Sequence, residues 1–107
     1  MNKRINDWIN WVLYDELIAG KLNAPKHLLG IHEYGEGQII TAYRPHAVEV
    51  KVTSRTGKKV HTMEKVTDEG FYAIFFPKKE FSGTKYNLVT TYEDGTTVTT
   101  ADPYAFD

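Results

Sequence analysis

The chain has no cysteine among its 107 residues. This absence excludes a disulfide framework, a thiolate nucleophile and a zinc site built on cysteine ligands. A chain without thiols is compatible with a reducing compartment.

The chain also lacks an excess of charge of one sign and long runs of apolar residues. Lysine and arginine number 13 against 14 aspartates and glutamates, which leaves a formal net charge of -1. Such a balance does not attract the protein to nucleic-acid phosphates or to an anionic membrane. No stretch approaches the roughly 20 apolar residues that span a bilayer. Asn6, Asp7 and Asn10 interrupt the amino-terminal apolar segment, so it lacks the continuous core of a signal peptide. We therefore expect a cytoplasmic protein without nucleic-acid or membrane partners.

Sequence patterns of catalysis and metal binding are equally scarce. The four histidines are too far apart for a helical metal pair; they are His27, His32, His46 and His61. Gly35 and Gly37 lack the lysine and the following helix of a phosphate-binding loop. Acidic residues such as Asp68, Glu69 and Asp94 lie in turns, whereas glycosidic chemistry needs two carboxyls held about 5 to 10 Å apart. We expect no catalytic residue, metal or cofactor in this chain.

An amphipathic pattern predicts a helix at the amino terminus. Apolar residues recur there at steps of three and four, which places them on one helix face: Ile5, Trp8, Ile9, Val12, Leu13 and Leu17. Gly20 and Pro25 end the pattern. A second helical turn over residues 15–21 is either separate or continuous with the first, and the pattern leaves both open. We interpret residues 1–26 as a helical segment.

In the rest of the chain the period changes to two, which indicates strands. Val48, Val50 and Val52 would point to one side of a half-buried strand, with charged residues between them. The predicted strands cover residues 38–43, 48–52, 59–63, 71–76, 85–92 and 96–100, separated by turn residues. Asp94-Gly95 supplies the turn of the last hairpin. Short strands without helices between them favour antiparallel pairing in a sandwich or barrel.

The segment over residues 71–76 is apolar on both faces. Phe71, Ala73 and Phe75 would face one side, and Tyr72, Ile74 and Phe76 the other. This pattern predicts a strand that is covered on both sides, with the amino-terminal helix as the natural cover of one face.

Aromatic residues are abundant among the predicted strands. Sugars offer C–H faces to aromatic rings and hydroxyls to neighbouring polar groups, whereas the alternative role of a ring is to fill a small core. Tyr86 with Asn87, and Tyr92 close to Thr97, lie on a polar hairpin. These four residues are the carbohydrate-binding candidates that the sequence predicts.

Short motifs in a fixed order resemble a known family. They are His27-Leu28-Leu29-Gly30-Ile31-His32, Arg44-Pro45-His46-Ala47, Val48-Glu49-Val50-Lys51-Val52, Gly70-Phe71-Tyr72, Lys85-Tyr86-Asn87-Leu88, Asp94-Gly95 and Asp102-Pro103-Tyr104-Ala105-Phe106. This series resembles the amino-terminal region of bacterial glycogen (1,4-α-glucan) branching enzymes, and the last motif is the most specific.

The resemblance implies a fold and a role. It implies an all-β, immunoglobulin-like antiparallel β-sandwich over residues 27–107, preceded by the amino-terminal α-helix. It also implies a non-catalytic accessory domain, similar to carbohydrate-binding modules of family 48, in an enzyme that forms α-1,6 branches. A catalytic barrel needs about 250 residues, so we expect this chain alone to be inactive. Its partners would be the remaining domains of the enzyme and an α-glucan such as glycogen or a maltooligosaccharide.

One departure from the family pattern concerns sugar binding. Modules of family 48 stack glucose on tryptophans after the Val-x-Val strand and in the last hairpin, whereas Trp8 and Trp11 of this chain lie in the leading helix. We therefore expect weak or absent glucan binding, with glucan positioning and domain scaffolding as the two roles. The alternative is an immunoglobulin-like protein-interaction module unrelated to glucan.

Overall fold

The computed structural model describes residues 2–81 and 85–104. The helices are α1 (Lys3–Trp8) and α2 (Trp11–Ile18), and a 3-10 helix (Pro25–His27) leads to the first strand. The strands are β1 (Gly30–Tyr34), β2 (Gly37–Tyr43), β3 (Ala47–Ser54), β4 (Val60–Thr62), β5 (Glu64–Lys65), β6 (Phe71–Phe76), β7 (Tyr86–Tyr92) and β8 (Thr97–Ala101).

Two four-stranded sheets form the fold. Sheet A has the strand order β1-β2-β6-β5 and sheet B the order β4-β3-β7-β8. Every pairing is antiparallel. The expected immunoglobulin-like antiparallel sandwich with a leading helical segment is confirmed.

The amino-terminal segment contains two helices. Ile9 has an extended backbone (φ -64°, ψ 124°), which ends α1. Asn10 then starts α2, since its side-chain oxygen accepts hydrogen bonds from the backbone N–H groups of Val12 and Leu13 at 3.1 and 3.2 Å. This is the usual role of asparagine at a helix start. The sequence pattern left open whether the second helical turn is separate from the first, and the structure shows two helices that are divided at Ile9 and Asn10.

Two of the strands lie outside the predicted set. The strand β1 contains His32. It pairs with β2, which brings Gly30 opposite Thr41 and Tyr34 opposite Gly37. The strand β5 has two residues and pairs with β6. Both are edge strands of sheet A, where only one side of the strand needs a partner.

A bulge changes the direction of one predicted side chain. Val50 and Val52 are fully buried, but Val48 is 57% exposed. The register between β3 and β7 shifts between Ala47 and Glu49, so that Ala47 occupies the buried position. An extra residue at a bulge reverses the alternation on one side of it. The expectation that Val48 points with Val50 and Val52 is therefore wrong.

Apolar side chains form two clusters on the two sides of sheet A. The cluster between the sheets includes Ile40, Val50, Val52, Tyr72 and Leu88. The cluster under the helices includes Ile5, Ile9, Tyr14, Leu28, Leu29, Ile39, Phe71 and Ala73. As expected, β6 is covered on both faces, and the helices cover one of them.

The division into residues 1–26 and 27–107 stays a prediction. Neither helix in the described part of the chain is long and apolar enough to cross a membrane.

Candidate functional site

Tyr86, the first predicted sugar-binding residue, lies in the core. Its side chain is fully buried between the sheets. Its hydroxyl donates a hydrogen bond to Asp102 Oδ2 at 2.5 Å. Burial, followed by the bond to this carboxylate, raises the pKa of the Tyr86 phenol. The predicted surface position of Tyr86 is wrong, because an enclosed ring offers no face to a sugar.

Asn87 and Thr97 lie on the other face of the same hairpin. Tyr86, Leu88 and Thr90 are buried, so the alternate position of Asn87 faces away from the core. Thr97 is opposite Thr91, and the two hydroxyl oxygens are 3.4 Å apart. Asn87 and Thr91 are four residues apart on β7, a separation of about 13 Å in a strand. Asn87 and Thr97 therefore share a face without forming one cluster.

Tyr92 lies at the end of β7 and lines an open cleft. The cleft has a volume of about 510 Å³. It contains the rings of Tyr43, Tyr92 and Tyr104, and Arg44 lies at its side. The Arg44 guanidinium donates a hydrogen bond to the Tyr43 carbonyl at 2.9 Å. We call this surface the tyrosine cleft.

The inward face of β8 forms part of the tyrosine cleft. Val98 is opposite Thr90, and Thr100 is opposite Leu88, so both side chains share the inward face of sheet B. Nevertheless Val98 is 39% exposed. Leu17 and Leu29 close the cleft from the helical side. Thr90, Thr100 and Arg44 thus line the cleft among mostly apolar residues, the kind of lining that is typical of ligand pockets.

The sequence alone did not predict that the residues lining the tyrosine cleft lie close together. Tyr43 is the last residue of a predicted strand, and Arg44 and Tyr104 belong to two separate motifs. Their proximity depends on the strand order β3-β7-β8 and on the chain path after β8, which no local pattern carries. Ala105 and Phe106, the end of the last motif, lie outside the described residues.

The histidines remain separate from this cleft. The imidazole Nε2 of His32 lies 3.1 Å from the Leu29 carbonyl oxygen. The ring centroids of His32 and Trp8 are 4.9 Å apart, and the ring planes are tilted by 37°. Burial lowers the pKa of His32. Among residues 2–81 and 85–104, no three histidine, aspartate or glutamate side chains are placed to hold a metal ion.

Comparisons with known proteins agree with the motifs. The model of the family "alpha-1,4-glucan branching enzyme GlgB, N-terminal domain" matches residues 11–104. A 1,4-alpha-glucan branching enzyme of Mycobacterium bovis is 39% identical over 90 residues, which are 84% of this chain and 12% of that protein. The enzyme of Mycobacterium tuberculosis is 38% identical over the same share, and that of Nocardia farcinica is 36% identical. The chain thus spans about 12% of the length of these relatives. It belongs to the family of amino-terminal domains of α-1,4-glucan branching enzymes.

Proposed function

We propose that this chain is a non-catalytic accessory domain of a cytoplasmic glycogen branching enzyme, in which it positions α-glucan chains or supports the arrangement of the other domains. The match to the amino-terminal domain over residues 11–104 supports this assignment. The relatives are named 1,4-alpha-glucan branching enzymes. A protein-interaction module unrelated to glucan is not favoured, because the match covers most of the sandwich.

The observation that carries the glucan-positioning role is the tyrosine cleft. Three partly exposed rings, those of Tyr43, Tyr92 and Tyr104, line one open volume together with Arg44. A pyranose offers a C–H face to such rings and hydroxyls to the guanidinium. The cleft is open, so a sugar would keep part of its contact with water and bind weakly.

The scaffolding role is supported by apolar surface on α2. Trp11, Val12 and Ile18 are 37%, 68% and 39% exposed. Apolar side chains that remain in water on a short helix suit contact with another domain. The remaining domains of the parent enzyme are the partners that this role requires.

Two measurements test the proposal. In the first, the 107-residue chain is incubated with amylose, and α-1,6 linkages are followed by proton NMR. We expect none, and a branched product would contradict the non-catalytic role.

In the second, maltoheptaose is titrated into isotope-labelled protein, and amide shifts are mapped. We expect a dissociation constant of roughly 0.1 to 10 mM, since exposed sugar sites have little apolar area to offset the cost of ordering. Shifts should include Tyr92 and Arg44, and Tyr92→Ala should remove those shifts while Lys85→Ala retains them. If no residue of the tyrosine cleft responds, that cleft is not a glucan site.

A further inference from the structure

A second pocket lies on the outer face of sheet A. It has a volume of about 360 Å³ and is lined by Arg4, Tyr34, Glu36, Phe75 and Pro77. It shares no residue with the tyrosine cleft. We call these five residues the aromatic shelf.

The floor of the aromatic shelf consists of two rings that the helices leave partly exposed. Ile5 and Ile9 are buried with Ile39 under the helices, whereas Tyr34 and Phe75 pack at the margin of that cluster and retain contact with solvent. The ring centroids of Tyr34 and Phe75 are 5.3 Å apart at an interplanar angle of 67°. This edge-to-face contact holds the two rings in fixed relative positions.

A glycine allows the strands to approach at this place. A Cβ atom at Gly37 would collide with the backbone of Phe76 and Pro77. Tyr34 is opposite Gly37 in the β1–β2 ladder. The missing side chain therefore lets the end of β6 reach the hairpin, which places Pro77 beside the two rings.

Charged groups of both signs border the rings. The guanidinium carbon of Arg4 lies 5.5 Å from the centroid of the Phe75 ring, within cation–π range. Glu36 is exposed in the turn between β1 and β2. Neither side chain belongs to the ion pairs Lys51–Glu49, Lys59–Glu80 and Lys79–Glu33. The shelf thus offers the N–H donors of Arg4 and the carboxylate acceptors of Glu36.

We propose that the aromatic shelf is a carbohydrate-binding site that takes a neutral hexose unit of a polysaccharide. The C–H face of the pyranose packs on Tyr34 and Phe75, while its hydroxyls accept from the Arg4 guanidinium and donate to the Glu36 carboxylate. The opposite charges compensate each other, so the shelf favours a neutral polyhydroxyl ligand over an anion or a cation. Only the choice of an α-1,4-glucan as the polymer rests on the proposed function.

The test is a maltoheptaose titration of the 107-residue chain, followed by amide shifts and by the dissociation constant. We expect shifts at Gly35, Glu36 and Gly37. Arg4→Ala and Tyr34→Ala should each weaken binding at these amides about tenfold, which corresponds to about 1.4 kcal/mol. Tyr34→Phe retains the ring and should change the constant less than about twofold, a difference below about 0.5 kcal/mol.

Controls separate binding from folding. Circular dichroism and thermal melts establish that each variant is folded, and Arg4→Ala and Glu36→Gln alter exposed side chains, so they report on binding even if Tyr34→Ala unfolds. Trp11→Ala is the matched control for an exposed aromatic residue elsewhere on the domain and should leave the shifts at Gly35–Gly37 unchanged.

The outcomes distinguish this proposal from the proposed function. Shifts confined to Tyr92 and Arg44, and insensitive to Arg4→Ala, would overturn the shelf site while leaving glucan positioning in place. A shelf response to the β-1,4-linked cellohexaose and none to maltoheptaose would retain the sugar site and contradict its role in glucan binding. No response at Gly35–Gly37 to either sugar would overturn the site, whatever the amylose assay shows.

Discussion

At the scale of single residues, the contact between Tyr86 and Asp102 fixes the end of the described chain. Asp102 is the acidic side chain that the sandwich buries among the described residues, at 8% exposure. One of its oxygens accepts from the Tyr86 hydroxyl, and the other accepts from the Tyr104 backbone N–H at 2.9 Å. Tyr86 therefore holds the segment that brings Tyr104 into the tyrosine cleft.

Sequence reasoning could not place Tyr86 because its burial depends on a distant residue. Polar neighbours such as Asn87 favoured a surface position for Tyr86. The alternation of side chains along a strand does not by itself show which set faces the core. Asp102, sixteen positions further on, supplies the partner that makes a buried phenol favourable. Tyr92, in contrast, is only partly buried at the end of β7, and its role in sugar binding stays a prediction.

Removing the Tyr86 hydroxyl should destabilise the domain. In Tyr86→Phe the ring still fills the core, but Asp102 Oδ2 loses its hydrogen bond in a site with little water. We expect the free energy of unfolding to fall by about 1–3 kcal/mol, the cost of an unsatisfied buried group. Urea denaturation followed by circular dichroism measures this change. The matched variant Tyr92→Phe, at a partly exposed ring, should stay within about 0.5 kcal/mol of the parent protein. Equal losses in both variants would contradict a specific role of the Asp102 bond.

At the scale of secondary-structure elements, the sequence predicted the central strands and both edge strands of sheet B, but it missed the two edge strands of sheet A. The strands β2 and β6 are largely buried on both faces, and β7 is buried on one face, so all three have clear apolar patterns in the sequence. The strand β1 has only Gly30 fully buried, so its sequence gives no alternating signal. The bulge at Val48 also cannot be predicted from the sequence, because Val48, Val50 and Val52 alternate regularly with other residues. Only the pairing with β7 reveals that one residue is extra.

The bulge makes a matched pair of substitutions informative. Val50→Thr places a hydroxyl in the core between the sheets, and we expect a loss of about 1–3 kcal/mol in the free energy of unfolding. Val48→Thr alters an exposed side chain and should change that free energy by less than about 0.5 kcal/mol. Chemical denaturation of both variants tests the assignment. A loss of similar size at Val48 would place this residue in the core and remove the bulge.

At the scale of the whole molecule, the helices are part of the core. The fold class, the leading helical segment and the family followed from the sequence, because period changes and ordered motifs are local signals. The tyrosine cleft and the aromatic shelf did not follow, since each joins residues from separate parts of the chain. Leu17, Tyr43 and Tyr104 meet in the cleft only after the sheets have assembled.

The contribution of α1 to this core can be measured. Ile5 and Ile9 are 2% and 5% exposed beneath the helices. Ile5→Ala and Ile9→Ala should each lower the free energy of unfolding by about 2–5 kcal/mol, the usual range for a truncated buried side chain. Lys3→Ala, on the exposed face of the same helix, should have little effect. Thermal and urea denaturation give the comparison. If neither isoleucine variant changes the free energy of unfolding, α1 contributes little to the stability of the domain.

The position of α1 has a practical consequence for related proteins. The family match begins at Trp11, after Ile5 and Ile9 have already entered the core. The family match begins where the sequences can be aligned, whereas the hydrophobic core of this domain includes residues that precede the match. A fragment cut at that boundary would lack Ile5 and Ile9, two buried members of the cluster that contains Ile39 and Phe71. Newly exposed apolar surface promotes aggregation, so such a preparation should precipitate more readily and give misleading results in a sugar-binding assay.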